Sequence, residues 1–140
     1  MQIHASCAAR AGAGVLLLGP PGSGKSDLLL RLLDHGFSLV SDDRVEIADG
    51  VASAPEGIAG LIEVRGLGVI RLPYTRSARL ALAVDLGGAE ERLPPPRRHP
   101  ETGLPLIALD AGTPSAPLRV RLALDCVLGY VQQDAGAFAA

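Results

Sequence analysis

An apolar run, Val15-Leu16-Leu17-Leu18, feeds directly into Gly19-Pro20-Pro21-Gly22-Ser23-Gly24-Lys25-Ser26, and a leucine-rich stretch ending at Gly36 follows. The middle segment fits G-x-x-x-x-G-K-[ST], the pattern of a phosphate-binding P-loop. Such a loop works in one setting only. A buried strand must lead in and a helix must lead out, so that backbone N–H groups and the positive helix end converge on a phosphate. The flanks supply that setting. A short, continuous apolar run is what a buried parallel strand requires. Residues 25–35 carry leucines at helical spacing and meet a glycine stop, which predicts a helix there. Lys25 is the single lysine of the chain; every other long basic side chain is an arginine. A compact ammonium on a flexible stem reaches the β- and γ-phosphates, whereas the planar arginine fork fits the nest poorly. Ser26 offers a hydroxyl for Mg²⁺.

Composition narrows the rest. A chain of 140 residues is one domain with room for a real core. A net charge of −2 argues against bulk attraction to nucleic acid or a membrane surface. Apolar residues make up 48% but aromatics only 3%, with no tryptophan, so the core is built from Leu, Val, Ile and Ala. That suits a helix-covered sheet and not aromatic stacking on single-stranded nucleic acid. Cys7 and Cys126 lie far apart and form no metal-spaced pair, so both read as small buried hydrophobes of a reduced cytosolic protein. No apolar run reaches transmembrane length, and the N-terminus lacks a basic start and a signal-like apolar stretch. A cytoplasmic location is expected.

Residues 1–9 alternate loosely and read as a short strand that brings His4 near the loop. Residues 37–40 form a second strand. Residues 45–48 and 51–54 form a hairpin about Asp49-Gly50. Residues 61–65 and 69–72 are extended, 79–86 is a clear strand and 106–109 a last one. The stretch 87–104, with Gly87-Gly88 and the prolines 94–96, reads as a mobile loop. Ser115-Ala116-Pro117 opens a final helix running to about Gln132. The fold class expected is α/β: a P-loop-containing mixed sheet flanked by helices. A single compact domain spans 1–134, and 135–140 is a disordered tail.

A second constellation sits at a strand end. In doubly wound sheets ligands bind outside the carboxyl ends of strands. Asp42 and Asp43 follow residues 37–40 directly and so belong at that edge, near the phosphates. One carboxylate suits Mg²⁺, directly or through water. The other suits acceptance of a proton from an attacking hydroxyl. Adjacent side chains diverge, so the two do not share one role. A third segment, Glu63-Val64-Arg65-Gly66-Leu67-Gly68, places two glycines around Leu67 in a tight turn. Taken alone it reads first as a solvent-exposed hairpin; the other reading is a source of one more carboxylate for Mg²⁺, with Arg65 toward a phosphate or partner.

Together the P-loop, Leu39-Val40-Ser41-Asp42-Asp43-Arg44, and Glu63 through Ile70 resemble the catalytic domain of the HPr kinase/phosphorylase family. That family reads L-V-x-D-D at its strand end and close to E-[IV]-R-G-L-G-[IV]-I at its signature. The resemblance is close over residues 1–72 and loose over 79–130, and it is to the short form without the extra N-terminal domain. It implies an ATP- and Mg²⁺-dependent serine kinase acting on the phosphocarrier HPr in phosphotransferase-system regulation. Residues 19–26 would bind the nucleotide phosphates, and Ser26 and Glu63 would serve Mg²⁺ beside Asp42. Asp43 would be the base that deprotonates the target serine, His4 would lie near the phosphates, and Arg92 would match an arginine of the phosphate site. Arg97 and Arg98 read as solvated charge. Self-association, as hexamers, is also implied.

One departure stands out. Longer members carry a proline- and arginine-rich loop before the last helix, associated with phosphorolysis. Here residues 110–117 contain no arginine, which bears on dephosphorylation by phosphate and not on the kinase reaction. Two other readings remain: a small-molecule kinase of nucleoside-kinase type, and a nucleotide-binding switch. The first wants arginine-bearing lid motifs, and the second a residue that orients hydrolytic water; the paired aspartates fit proton abstraction from an alcohol better.

Overall fold

The computed structural model describes residues 1–139. The elements in chain order are β1 (Gln2–Ile3), β2 (Ser6–Arg10), β3 (Ala13–Leu18), α1 (Lys25–Asp34), β4 (Ser38–Ser41), β5 (Val45–Ala48) and β6 (Val51–Ser53). Then come β7 (Leu61–Val64), β8 (Gly68–Arg71), β9 (Ala78–Asp85), β10 (Leu106–Ala108) and α2 (Ala116–Val127). The P-loop strand and helix fall where the sequence places them, and the α/β class with a mixed sheet holds.

Eight strands form one sheet in the order β1-β5-β6-β9-β3-β2-β4, with β10 on β9. β3 runs parallel to β9 and antiparallel to β2. β9 pairs twice along its other edge: its start lies antiparallel to β6 and its end parallel to β10. β7 and β8 form a separate antiparallel pair.

The sheet is curled, and connectivity forces it. β4 and β5 are five positions apart in the strand order, which in a flat sheet is about 24 Å. Only Asp42-Asp43-Arg44 joins them, and four Cα–Cα steps reach at most about 15 Å. The two ends of the sheet therefore bend toward each other, and β4 touches β6 across the interior. Inside the curl lies a cluster rich in small side chains: Ala5, Cys7, Ala9, Leu16, Val40, Val45, Ala52 and Ala83. Strand alternation sends Val15 and Leu17 to the opposite face, where α1 and α2 cover them with Leu28, Leu29, Leu32, Val120 and Leu124. Each fully buried leucine there contributes about 1.5–3 kcal/mol.

Several local expectations are revised. Residues 1–9 split into β1 and β2, and β2 turns into β3 through Ala11 and Gly12, both at positive φ. Asp49-Gly50 closes the β5–β6 hairpin as the sequence predicts, again with both residues at positive φ. α2 stops at Val127, short of Gln132. Gly129 adopts φ 82 and donates to the Cys126 carbonyl, while Tyr130 N–H bonds the Asp125 carbonyl. This glycine cap satisfies the last carbonyls and turns the chain away. Residues 87–104 contain no regular element but are tied down: His99 N–H bonds Leu104 O, Leu106 N–H bonds Arg97 O, and Arg97 pairs with Glu91. In the segment read as a disordered tail, Ala137 is buried and Phe138 packs on the core; residue 140 lies outside the described residues.

Candidate active site

The P-loop leaves β3 at Leu18 and enters α1 at Lys25. Gly24 takes a left-handed φ of 95 as the cap of α1, and a Cβ there would lie 3.1 Å from the Ala111 methyl. The backbone would strain any side chain here, and the methyl would have to give by a few tenths of an ångström. Lys25 Nζ donates to the Gly19 and Pro20 carbonyls at 2.6 and 3.2 Å, so the ammonium is held over its own loop. Ser23 Oγ is a buried hydroxyl without a hydrogen-bond partner among the described residues. An orphaned donor in a nest of this kind fits a phosphate oxygen.

The loop is fastened to the end of β4. Ser26 Oγ donates to Asp42 Oδ1 at 2.7 Å. Ser6 Oγ donates to the same oxygen at 2.9 Å, and Glu63 N–H reaches Asp42 Oδ2 at 3.3 Å. Asp42 is 7% exposed, so its carboxylate is committed to three donors. Ser26 gives its proton to Asp42, which leaves the oxygen lone pairs free toward a cation. Among the described residues no three His, Cys, Asp or Glu side chains converge as a metal cage. A site with one or two protein oxygens and the remainder water and phosphate is what Mg²⁺ accepts, so Ser26 and Asp42 fit it.

Asp43 differs from its neighbour in every respect. Its side chain is exposed, and its φ of 71 is in the left-handed region. Arg44 N–H bonds the Asp42 carbonyl at 2.8 Å, closing a three-residue γ-turn around Asp43. Ala5 N–H holds the Asp43 carbonyl at 3.2 Å, and Ser41 Oγ donates to the Arg44 carbonyl. His4, next to Ala5, is therefore beside this turn and exposed; its ring makes no hydrogen bond among the described residues. Glu63 joins the site by its backbone, with its side chain exposed on β7.

Among the described residues, Arg92 makes no hydrogen bond to the P-loop or to the two aspartates. It lines a groove of about 590 Å³ with Leu93, Ile107, Leu122, Cys126 and Phe138, and no P-loop residue shares that groove. Two residues that sequence reasoning missed do belong to the site. Ser6 carries no local signal, because a lone serine in a strand is common. Arg31 had one, the i,i+4 spacing to Asp27. It pairs with Asp27 at 3.0 Å, and its guanidinium bonds the Ala111 and Thr113 carbonyls. This clamps the arginine-free 110–117 stretch beside Gly24.

The family description "HPr Serine kinase C-terminal domain" matches residues 1–78, which hold all three motifs. The chain belongs to this family. The HPr kinase/phosphorylase of Geobacillus kaustophilus is 38% identical over 125 residues, 79% of this chain and 39% of that protein. The Bacillus pumilus protein of the same name is 50% identical over 66 residues, 44% of this chain and 21% of its own length. The chain thus spans well under half the length of these relatives. A solved structure, the Hpr(Ser) kinase/phosphatase from Coxiella burnetii, superposes with a TM-score of 0.73 over 93% of this chain and 94% of that one, at 24% identity. That likeness is one of fold. It covers more of the chain than residues 1–78, so the shared fold reaches beyond the family match.

Proposed function

We propose that this chain transfers the terminal phosphoryl group of ATP, with Mg²⁺, to a seryl hydroxyl of an HPr-type phosphocarrier protein. The observation that carries the reading is the Ser26–Asp42 bond of 2.7 Å. It ties the phosphate cradle to the strand end whose next residue is an exposed carboxylate. The backbone donors of residues 19–26, Ser23 Oγ and Lys25 hold the phosphates. Phosphoryl transfer asks chiefly for positioning and charge neutralisation. Bound at Ser26 and Asp42, Mg²⁺ would neutralise charge on the β- and γ-phosphates. Asp42 is buried and holds three donors, which leaves its remaining acceptor site to the cation and the role of base to Asp43. Asp43 takes the seryl proton as the serine oxygen bonds the γ-phosphorus and the bond to ADP breaks. A base of this kind is worth roughly 10²–10⁴ in rate. His4, beside the turn, is assigned to the phosphate side of the site, and Glu63 to the metal side. Arg92 is given no role in the transfer.

The reading places the protein in the cytoplasm, as a homo-oligomer. No helix among the described residues is long and apolar enough to cross a membrane. The test is incubation with HPr, Mg²⁺ and labelled ATP, with and without inorganic phosphate. Label on an HPr serine, lost in Asp43→Ala while nucleotide still binds, is the expected result. Removal of label on adding phosphate would extend the activity to phosphorolysis despite the arginine-free 110–117 stretch. Bound nucleotide without label on HPr would overturn the reading in favour of a switch or a small-molecule kinase.

A further inference from the structure

Ser6 lies on β2, outside the three motifs, and is fully buried between apolar Ala5 and Cys7. Packing alone gives a hydroxyl no advantage over alanine in that row, and a buried hydroxyl is costly without partners. Ser6 has two of opposite kind. Its Oγ donates to Asp42 Oδ1 at 2.9 Å and accepts Asp43 N–H at 3.3 Å. One side chain thus touches the carboxylate of the first aspartate and the backbone of the second.

The turn it holds is the strained one. A non-glycine residue at φ 71 persists only where its surroundings over-determine it. The bonds from Ala5 and Ser41 act on the carbonyls of Asp43 and Arg44. Ser6 fixes the Asp43 N–H, and with it the peptide plane from which the exposed carboxylate projects. We infer that Ser6 is a positioning residue: it aims the Asp43 carboxylate at the reacting hydroxyl by fixing the turn between the two aspartates, without touching substrate. The inference rests on the kinase reading proposed above.

Steady-state transfer from ATP to HPr, with nucleotide-binding stoichiometry measured in parallel, tests it. Ser6→Ala is expected to lower kcat by about 10- to 100-fold, as a misaimed group does. The KM values for ATP and HPr, and the number of nucleotide sites, stay as in wild type. Ser6→Thr, which keeps the hydroxyl, restores most of kcat. An unchanged kcat in Ser6→Ala overturns the inference, as does a loss of rate matched by loss of nucleotide sites, which is what a purely structural serine would give. Should Ser6→Ala fail to fold, Ser6→Cys, of matching shape and weak hydrogen bonding, carries the same comparison. A wild-type chain that transfers nothing to HPr sinks the kinase reading, and the Ser6 role with it. An active wild type matched by Ser6→Ala sinks the Ser6 role alone.

Discussion

Replacing Asp42 with alanine separates a fastening role from a merely local one. Asp42 Oδ1 accepts from Ser26 and Ser6 at 2.7 and 2.9 Å, and Oδ2 accepts from Glu63 N–H at 3.3 Å. The two hydroxyl bonds are short and end on a buried carboxylate; each bond of that kind is worth about 1.5–3 kcal/mol. The full sum is not lost. Ser26 is half-buried, so water replaces its partner, and removing the carboxylate also removes the cost of burying it. Ser6 is wholly buried and finds no substitute. The balance is about 3 kcal/mol for Asp42→Ala and about half of that for Asp42→Asn, whose side-chain oxygen still accepts. Urea unfolding followed by circular dichroism measures it. With a slope of about 1–3 kcal/mol per molar, the alanine variant should lose roughly 1–3 M in midpoint at unchanged slope. A loss below about 1 kcal/mol would refute the view that this carboxylate joins P-loop, β2 and β7 into one unit.

Lys25→Ala should weaken ATP binding by about tenfold or more, with Lys25→Arg failing to restore it because a planar fork does not fit the nest; titration calorimetry reads both. Burial pushes the Cys7 thiol from 9.0 up to about 12, against a lowering backbone bond from Val15. The folded state therefore keeps its proton while the unfolded chain ionises, so this contribution to stability is whole below pH 9 and declines toward pH 12. The slope is about 1.4 kcal/mol per pH unit; Cys7→Ala should flatten that part of a denaturation-versus-pH curve. Gly129→Ala should cost about 1 kcal/mol in thermal unfolding, from left-handed backbone alone, since a Cβ there meets nothing within 4 Å.

What could be read from the sequence was whatever is local. Val15 through Gly36 announces strand, loop and helix by residue type alone, and Asp49-Gly50 announces its hairpin. Gly129 also carried a signal, the usual glycine stop, which the expected helix to about Gln132 ran past. The β2–β3 turn was hidden because Ala11 takes a positive φ that alanine rarely adopts. The long-range part was not legible. Ser6 meets Asp42 only because β2 pairs with β4 and a register shift between Cys7 and Ala8 sets Cys7 opposite Ser41. The surroundings of Arg92 were equally hidden: the resemblance implied a phosphate-site arginine, and in the fold it lines a groove with Leu122 and Cys126 of α2. The curl of the sheet follows from counting strands between β4 and β5, and that order exists only once pairing is known.

The turn that closes the curl is also fastened to the phosphate cradle, through the bond from Ser26 to Asp42. Lengthening Asp42-Asp43-Arg44 would let the two ends of the sheet drift apart and would misdirect the carboxylate in the same stroke. Length variation within the family is therefore expected in exposed stretches such as 91–96, and not in this turn. Insertion scanning would show it as a gap in tolerance three residues wide, set by geometry before chemistry is considered.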